Sequence, residues 1–115
     1  MTAWDKQVGG SHYTSMKIQP LQLTYMVANG DSCFCKVAKY IARTKNTDDL
    51  QKAIDVIEKA KTLRKSGVEV THYKRKMIGE FADQFDNAPV IAAVLLTFLD
   101  ARYNDSIRYV EQLDD

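Results

Sequence analysis

The sequence predicts a mainly α fold: a compact bundle of about five helices behind an irregular N-terminal arm, expected to form an oligomer. Three observations carry this expectation. Apolar residues recur at three- and four-residue spacing, as in Cys33, Phe34, Val37, Ala38 and Ile41, and again in Leu50, Ala53, Ile54, Ile57 and Ala60. Between such runs stand residues that start or stop helices, among them Pro20, Gly30, Asp31, Gly67 and Pro89. Only Val68-Glu69-Val70-Thr71 alternates like a strand, and a linker explains those four residues equally well.

Each element follows in chain order. Residues 1–19 hold few periodic apolar side chains and read as an arm with a Gly9-Gly10-Ser11-His12-Tyr13 turn. Pro20 suits the first turn of a helix that ends near Asn29-Gly30. Asp31 or Ser32 can cap a second helix, from about Cys33 to Arg43. Asn46-Thr47 interrupts the chain, and Asp48-Asp49 fits the positive N-terminus of a third helix, which runs to about Ser66-Gly67. A fourth helix carries Met77, Ile78, Phe81 and Phe85 on one face. Asp86-Asn87 ends it and can cap a fifth, with Pro89 in its first turn. From Val90 to Leu99 that helix is apolar nearly all round, which predicts burial on several sides. Helical spacing through Ile107, Val110 and Leu113 resumes after a break expected at Asn104-Asp105. Residues 20–66 are read as a core and 67–115 as an oligomerisation segment of one domain.

The 115 residues and 13.1 kDa suit a single core, and 45% hydrophobic with 27% charged residues is ordinary globular composition. Met1 to Lys6 has no apolar signal region. The longest apolar run, Ala88 to Leu99, is twelve residues, whereas a membrane span needs roughly 20. Cys33 and Cys35, two apart on a helix, point away from one another and are read as buried free thiols. With His12 and His72 they would make a zinc set by count, but their spacing is not that of a zinc finger. The cytoplasm is the expected compartment.

A formal net charge of +1 conceals a split. Residues 1–76 hold fourteen basic and seven acidic side chains; residues 77–115 hold two and eight. That excludes a uniform polycation and leaves room for a local basic face aimed at an anion. At about 100° per residue, the apolar face of the second helix turns Lys36, Lys39 and Arg43 to the opposite side, with Tyr40 at its edge. Three cations and a phenol on adjoining turns can grip phosphates, and a solvated face of an amphipathic helix is the plain alternative. Lys39 and Arg43 are expected to face solvent. In the arm, Gly9 and Gly10 let backbone N–H groups approach an anion, Ser11 adds a donor, and His12 can donate to phosphate or exchange a proton. The Gly-Lys-Ser/Thr ending of a Walker loop is absent. Asp48 and Asp49 can hold magnesium, but a helix N-terminus explains both. Asp55 and Glu58 stand alone among lysines, without the carboxylate spacing of metal-dependent nucleotide pyrophosphatases. His72, Tyr73 and the Lys74-Arg75-Lys76 run can add positive charge to the same pocket.

Four segments taken together resemble a known family: Asp5-Lys6-Gln7-Val8-Gly9-Gly10-Ser11-His12-Tyr13, Ile18-Gln19-Pro20, Lys39-Tyr40-Ile41-Ala42-Arg43 and Asp49-Leu50-Gln51-Lys52-Ala53. They look like a small bacteriophage family that includes a podophage nucleotide kinase without a Walker motif. The resemblance covers about residues 5–64. The chain departs from the family pattern at Cys35-Lys36, where relatives commonly show a small residue and Asn, and in a shorter Arg43–Asp49 connection. The resemblance implies nucleotide binding by His12, Tyr13, Gln19, Lys39, Tyr40, Arg43 and Lys52, and phosphoryl transfer to deoxynucleoside monophosphates.

Three functions follow as expectations. The first is a nucleotide phosphotransferase with His12, Lys39 and Arg43 in catalytic roles. Gly9, Gly10, Ser11, Tyr13, Gln19, Lys36, Tyr40 and Lys52 would bind the nucleotide. It would hold no bound cofactor or metal, and would use ATP or another nucleoside triphosphate as donor. The second is a non-catalytic sponge that sequesters a nucleotide or cyclic oligonucleotide messenger of bacterial anti-phage defence. The third is a structural module built on a homo-oligomer contact through residues 88–113. A compact ligand in the host cytoplasm fits better than a long nucleic acid, and no membrane partner is expected.

Overall fold

A computed structural model describes residues 16–43, 47–63 and 66–114. Six helices form among them: α1 Pro20–Val27, α2 Ser32–Ala42, α3 Thr47–Thr62, α4 His72–Ala82, α5 Ala88–Leu99 and α6 Tyr103–Gln112. The expectation of about five helices is corrected to six, and the break between α5 and α6 falls at Asp100–Arg102 rather than at the expected Asn104-Asp105. Ala101 takes a left-handed φ of 58° there, and Asn104-Asp105 falls inside the first turn of α6. Alanine is a poor marker of such a turn, so the break leaves little sequence signal. Residues 66–71 form no strand. Their backbone is instead drawn onto the α5–α6 corner, where the Val68 N–H donates to the Leu99 carbonyl at 2.8 Å.

Helix α5 is the hub. Its twelve residues carry no charge, and α2, α4 and α6 all pack against it. Ile91, Val94, Leu95, Phe98 and Leu99 are buried, while Ala88, Val90, Ala92 and Leu96 are partly buried against the same core. Most of the apolar surface of α5 is therefore covered within the chain. Among the described residues, the exposed large apolar side chains are Leu21, Tyr25, Leu63 and Tyr73, none of them on α5.

Aromatic contacts join three of these helices. Phe98 of α5 meets Phe34 of α2 at 6.2 Å between ring centroids and Tyr103 of α6 at 5.6 Å in an edge-on arrangement. Polar groups in the α5–α6 seam are satisfied locally. The buried Ser106 hydroxyl donates across the seam to the Val94 carbonyl at 3.0 Å, and Thr97 Oγ1 donates to the Ala93 carbonyl at 2.6 Å.

Elsewhere the ends are fixed by turn chemistry. Helix α4 stops at Ala82, short of the expected Phe85. The chain turns through bonds from Gln84 N–H to Phe81 O and from Phe85 N–H to Ala82 O, and the Phe85 ring folds back edge-on to Phe81 at 5.3 Å. Gln84 also ties the entry to α1. Its Oε1 accepts from the Ile18 N–H at 2.9 Å, and its Nε2 donates to the Ile18 carbonyl at 3.0 Å.

Two glycines give opposite expectations. A Cβ at Gly67 would lie 3.0 Å from the Asp100 carbonyl oxygen and 3.1 Å from its carbon, both backbone atoms with little freedom to move. Gly67→Ala should lower stability by about 1–2 kcal/mol through this overpacking. A Cβ at Gly79, inside α4, meets nothing within 4 Å. Gly79→Ala should raise stability by about 0.5–1 kcal/mol through helix propensity. Urea unfolding of the two variants measures both signs.

Candidate functional site

The basic stripe depends on how α2 is started and seated. Asn29 and Gly30 reverse the chain with φ of 51° and 77°, conformations that favour these two residue types. A Cβ at Gly30 would also lie 3.2 Å from the Tyr25 ring. Asp31 then caps α2, its Oδ2 accepting from the Phe34 N–H at 2.8 Å. With the start fixed, Phe34, Val37, Ala38 and Ile41 turn inward and are fully buried.

Helical geometry places the cations on the other side. Lys36 is exposed, whereas Lys39, Tyr40 and Arg43 are half-buried. The expectation that Lys39 and Arg43 face solvent freely is thus corrected. Arg43 is the C-cap residue of α2, close against the bundle rather than projecting from mid-helix. Cys33 and Cys35 are free and half-buried, not buried. Their near-opposite directions on α2 leave only Cys33 packed against the core.

Helix α3 completes the face. Leu50, Ala53, Ile57 and Ala60 point inward, which leaves Lys52, Asp55, Glu58 and Lys59 exposed. Because α2 and α3 pack together, Tyr40 lies next to the α3 cations: Lys52 Nζ is 6.0 Å from the centre of its ring. A contact of that length at an exposed site is worth about 0.5–1 kcal/mol. Lys59 forms an ion pair with Asp55 at 2.9 Å. Its ammonium is held above the ordinary lysine range by the hydrogen bond to Asp55 and then by that carboxylate's charge. Slight desolvation opposes the shift and Tyr40 adds a smaller upward push. The spacing that allows this pair is legible in the sequence: aspartate four residues before lysine on a helix.

The remaining candidates are placed as follows. Gln19 is the N-cap residue of α1, where its backbone N–H donates to Gln22 Oε1 at 3.3 Å. Gly9, Gly10, Ser11, His12 and Tyr13 lie outside the described residues. Asp48 and Asp49 occupy the first turn of α3. His72 is exposed at the start of α4, and α4 packs on α1 and α5. Arg75 does not join the α2 stripe. It lines a cleft of about 560 Å³ with Val68, Leu96, Arg102 and Tyr109, on the side where α4 packs against α5. Among the described residues no three His, Cys, Asp or Glu side chains converge as a metal set.

What sequence reading brings together, the fold places on two adjoining helices: Lys36, Lys39, Tyr40 and Arg43 from α2, and Lys52 from α3. The phenol offers a flat surface and a hydroxyl, and the cations offer donors around it. Such a face can bind phosphate and a planar group side by side. Comparison with protein-family models, curated proteins and solved structures gives no match.

The Asp55–Lys59 pair predicts a pH effect of defined sign. A raised lysine pKa contributes stability below the unfolded-state value, ordinarily 10.5, and that contribution is lost as pH rises through the folded-state value. Asp55→Asn should bring the Lys59 pKa back down. An NMR titration of the Lys59 side chain between neutral and strongly alkaline pH reads the shift directly; an unchanged pKa would exclude the pair in solution.

Proposed function

We propose that the protein binds a nucleotide through its phosphates at the α2–α3 face, with Tyr40 against the base or sugar. The observation that carries this reading is the placement of the Tyr40 ring beside Lys52 of one helix and the Lys36-Lys39-Arg43 stripe of the other. A cationic helix face alone is ordinary solvated surface. A tyrosine set between cations of two helices is a better match to a ligand with both a flat ring and negative charge.

The resemblance to the phage nucleotide-kinase family extends the proposal to phosphoryl transfer. In that reading Lys39 and Arg43 neutralise charge on the transferring group, and His12 orients or exchanges a proton. ATP or another nucleoside triphosphate is the donor, and a deoxynucleoside monophosphate the acceptor. A second reading, a sponge for a nucleotide messenger, is favoured by one feature. Lys36 and Lys52 are exposed, and an open face suits holding a ligand more readily than a transfer step from which water must be kept out.

Lys36 and Lys52 are the cleanest probes, since neither is needed for packing. Lys36→Ala and Lys52→Ala should each weaken nucleotide binding by about tenfold, equivalent to about 1.4 kcal/mol, with unfolding unchanged in Lys36→Ala and stability lowered by no more than the about 0.5–1 kcal/mol of the Tyr40 contact in Lys52→Ala. Calorimetric titration checks this, and wild-type affinity in both variants would remove the face from the proposal. Thin-layer assay with labelled ATP and each deoxynucleoside monophosphate then separates the two readings. Label transfer supports the kinase, and intact ligand recovered after denaturation supports the sponge.

A further inference from the structure

The acidic third of the chain uses its cations unusually. Residues 77–115 contain eight carboxylates and only two basic side chains, Arg102 and Arg108. Both are drawn to the same carboxylate. Asp105 Oδ2 accepts from Arg102 Nε at 3.0 Å and lies 2.8 Å from its Nη2, while Asp105 Oδ1 accepts from Arg108 Nη1 at 3.3 Å. Opposite them Lys61, near the end of α3, donates from Nζ to Asn104 Oδ1 at 3.0 Å. The three cations line one open cleft of about 510 Å³ together with Tyr103, Asn104 and Asp105.

The balance within this cleft is three cations against one carboxylate. Asp105 engages the Nε and Nη2 side of one guanidinium and Nη1 of the other, which leaves Arg102 Nη1 and Arg108 Nη2 and Nε without an acceptor among the described residues. A guanidinium already held in orientation loses less side-chain entropy on binding an oxyanion than a free one does. The cleft is separate from the α2–α3 face. Lys61 stands about 200° round α3 from Lys59, and it reaches α6 while Lys52 lies over Tyr40 of α2.

We propose that the α3–α6 cleft is a second anion site, in which Lys61, Arg102 and Arg108 grip a compact polyphosphate group. Two or three linked phosphates match three separated cations better than a single carboxylate would. Arg102 also lines the neighbouring cleft of about 560 Å³, whose walls include Val68, Val70, Leu96 and Tyr109. A polyphosphate ester could thus seat its phosphates on the arginines and its apolar or aromatic remainder beside them.

Amide-resolved NMR titration with sodium triphosphate tests this at low ionic strength, with ATP as a second arm. The expected result is saturable shifts across Tyr103–Arg108. ATP should add shifts at Leu96 and Tyr109 if its base enters the neighbouring cleft, and reproduce the triphosphate pattern if phosphates alone are recognised. Arg108→Gln and Lys61→Gln, both exposed replacements, should each weaken the α6 response at least tenfold. Lys36→Ala and Lys52→Ala should leave it unchanged. Absence of saturable shifts at Tyr103–Arg108, or shifts that survive both Gln replacements, would overturn the proposal. Because the two faces report through different amides, failure at α6 and failure at α2 are read independently.

Discussion

The structure depends on covering α5. A helix of twelve residues without one charge exposes apolar surface in every direction, and burial of such surface is the main force available to a chain of this size. Three helices meet that demand. Once α2, α4 and α6 are committed to α5, their inward faces are fixed, and so is the direction of every cation on them. The outward stripe on α2 and the arginines of α6 are consequences of that commitment.

The same constraint sets the corners. To bring α6 back along α5, the chain must reverse within three residues, and Ala101 accepts a left-handed conformation to do so. Gly67 and Val68 are laid against this corner, where any larger residue at 67 would press on the Asp100 backbone. The corner also brings Arg102 to the boundary of two clefts.

The two cationic surfaces differ in how their charges are held. Around Tyr40 the lysines lie on a broad face, with Lys59 engaged by Asp55 and Lys52 over the ring. Around Asp105 the arginines are oriented by one shared carboxylate. A phosphate-bearing ligand meets mobile charges in the first case and aligned forks in the second. One α-helix, α3, serves both through opposite faces. Its inward residues Leu50, Ala53, Ile57 and Ala60 keep the two arrays in fixed relation.

Periodicity and turn chemistry made much of this legible. Pro20, Gly30 and Asp31 marked the α1–α2 reversal because each has a conformational or capping preference that acts locally. The inward set Phe34, Val37, Ala38 and Ile41 followed from helical spacing, and the outward Lys36, Lys39, Tyr40 and Arg43 followed with it. The sequence thus determined helix identity, most starts and the direction of the α2 stripe, since these depend on interactions within a few residues. Tertiary structure alone decided that Tyr40 meets Lys52, that Arg75 leaves the stripe for another cleft, and that Arg102, Arg108 and Lys61 converge. Those outcomes rest on contacts between residues distant in sequence, which are set by how helices cover α5 rather than by any local preference.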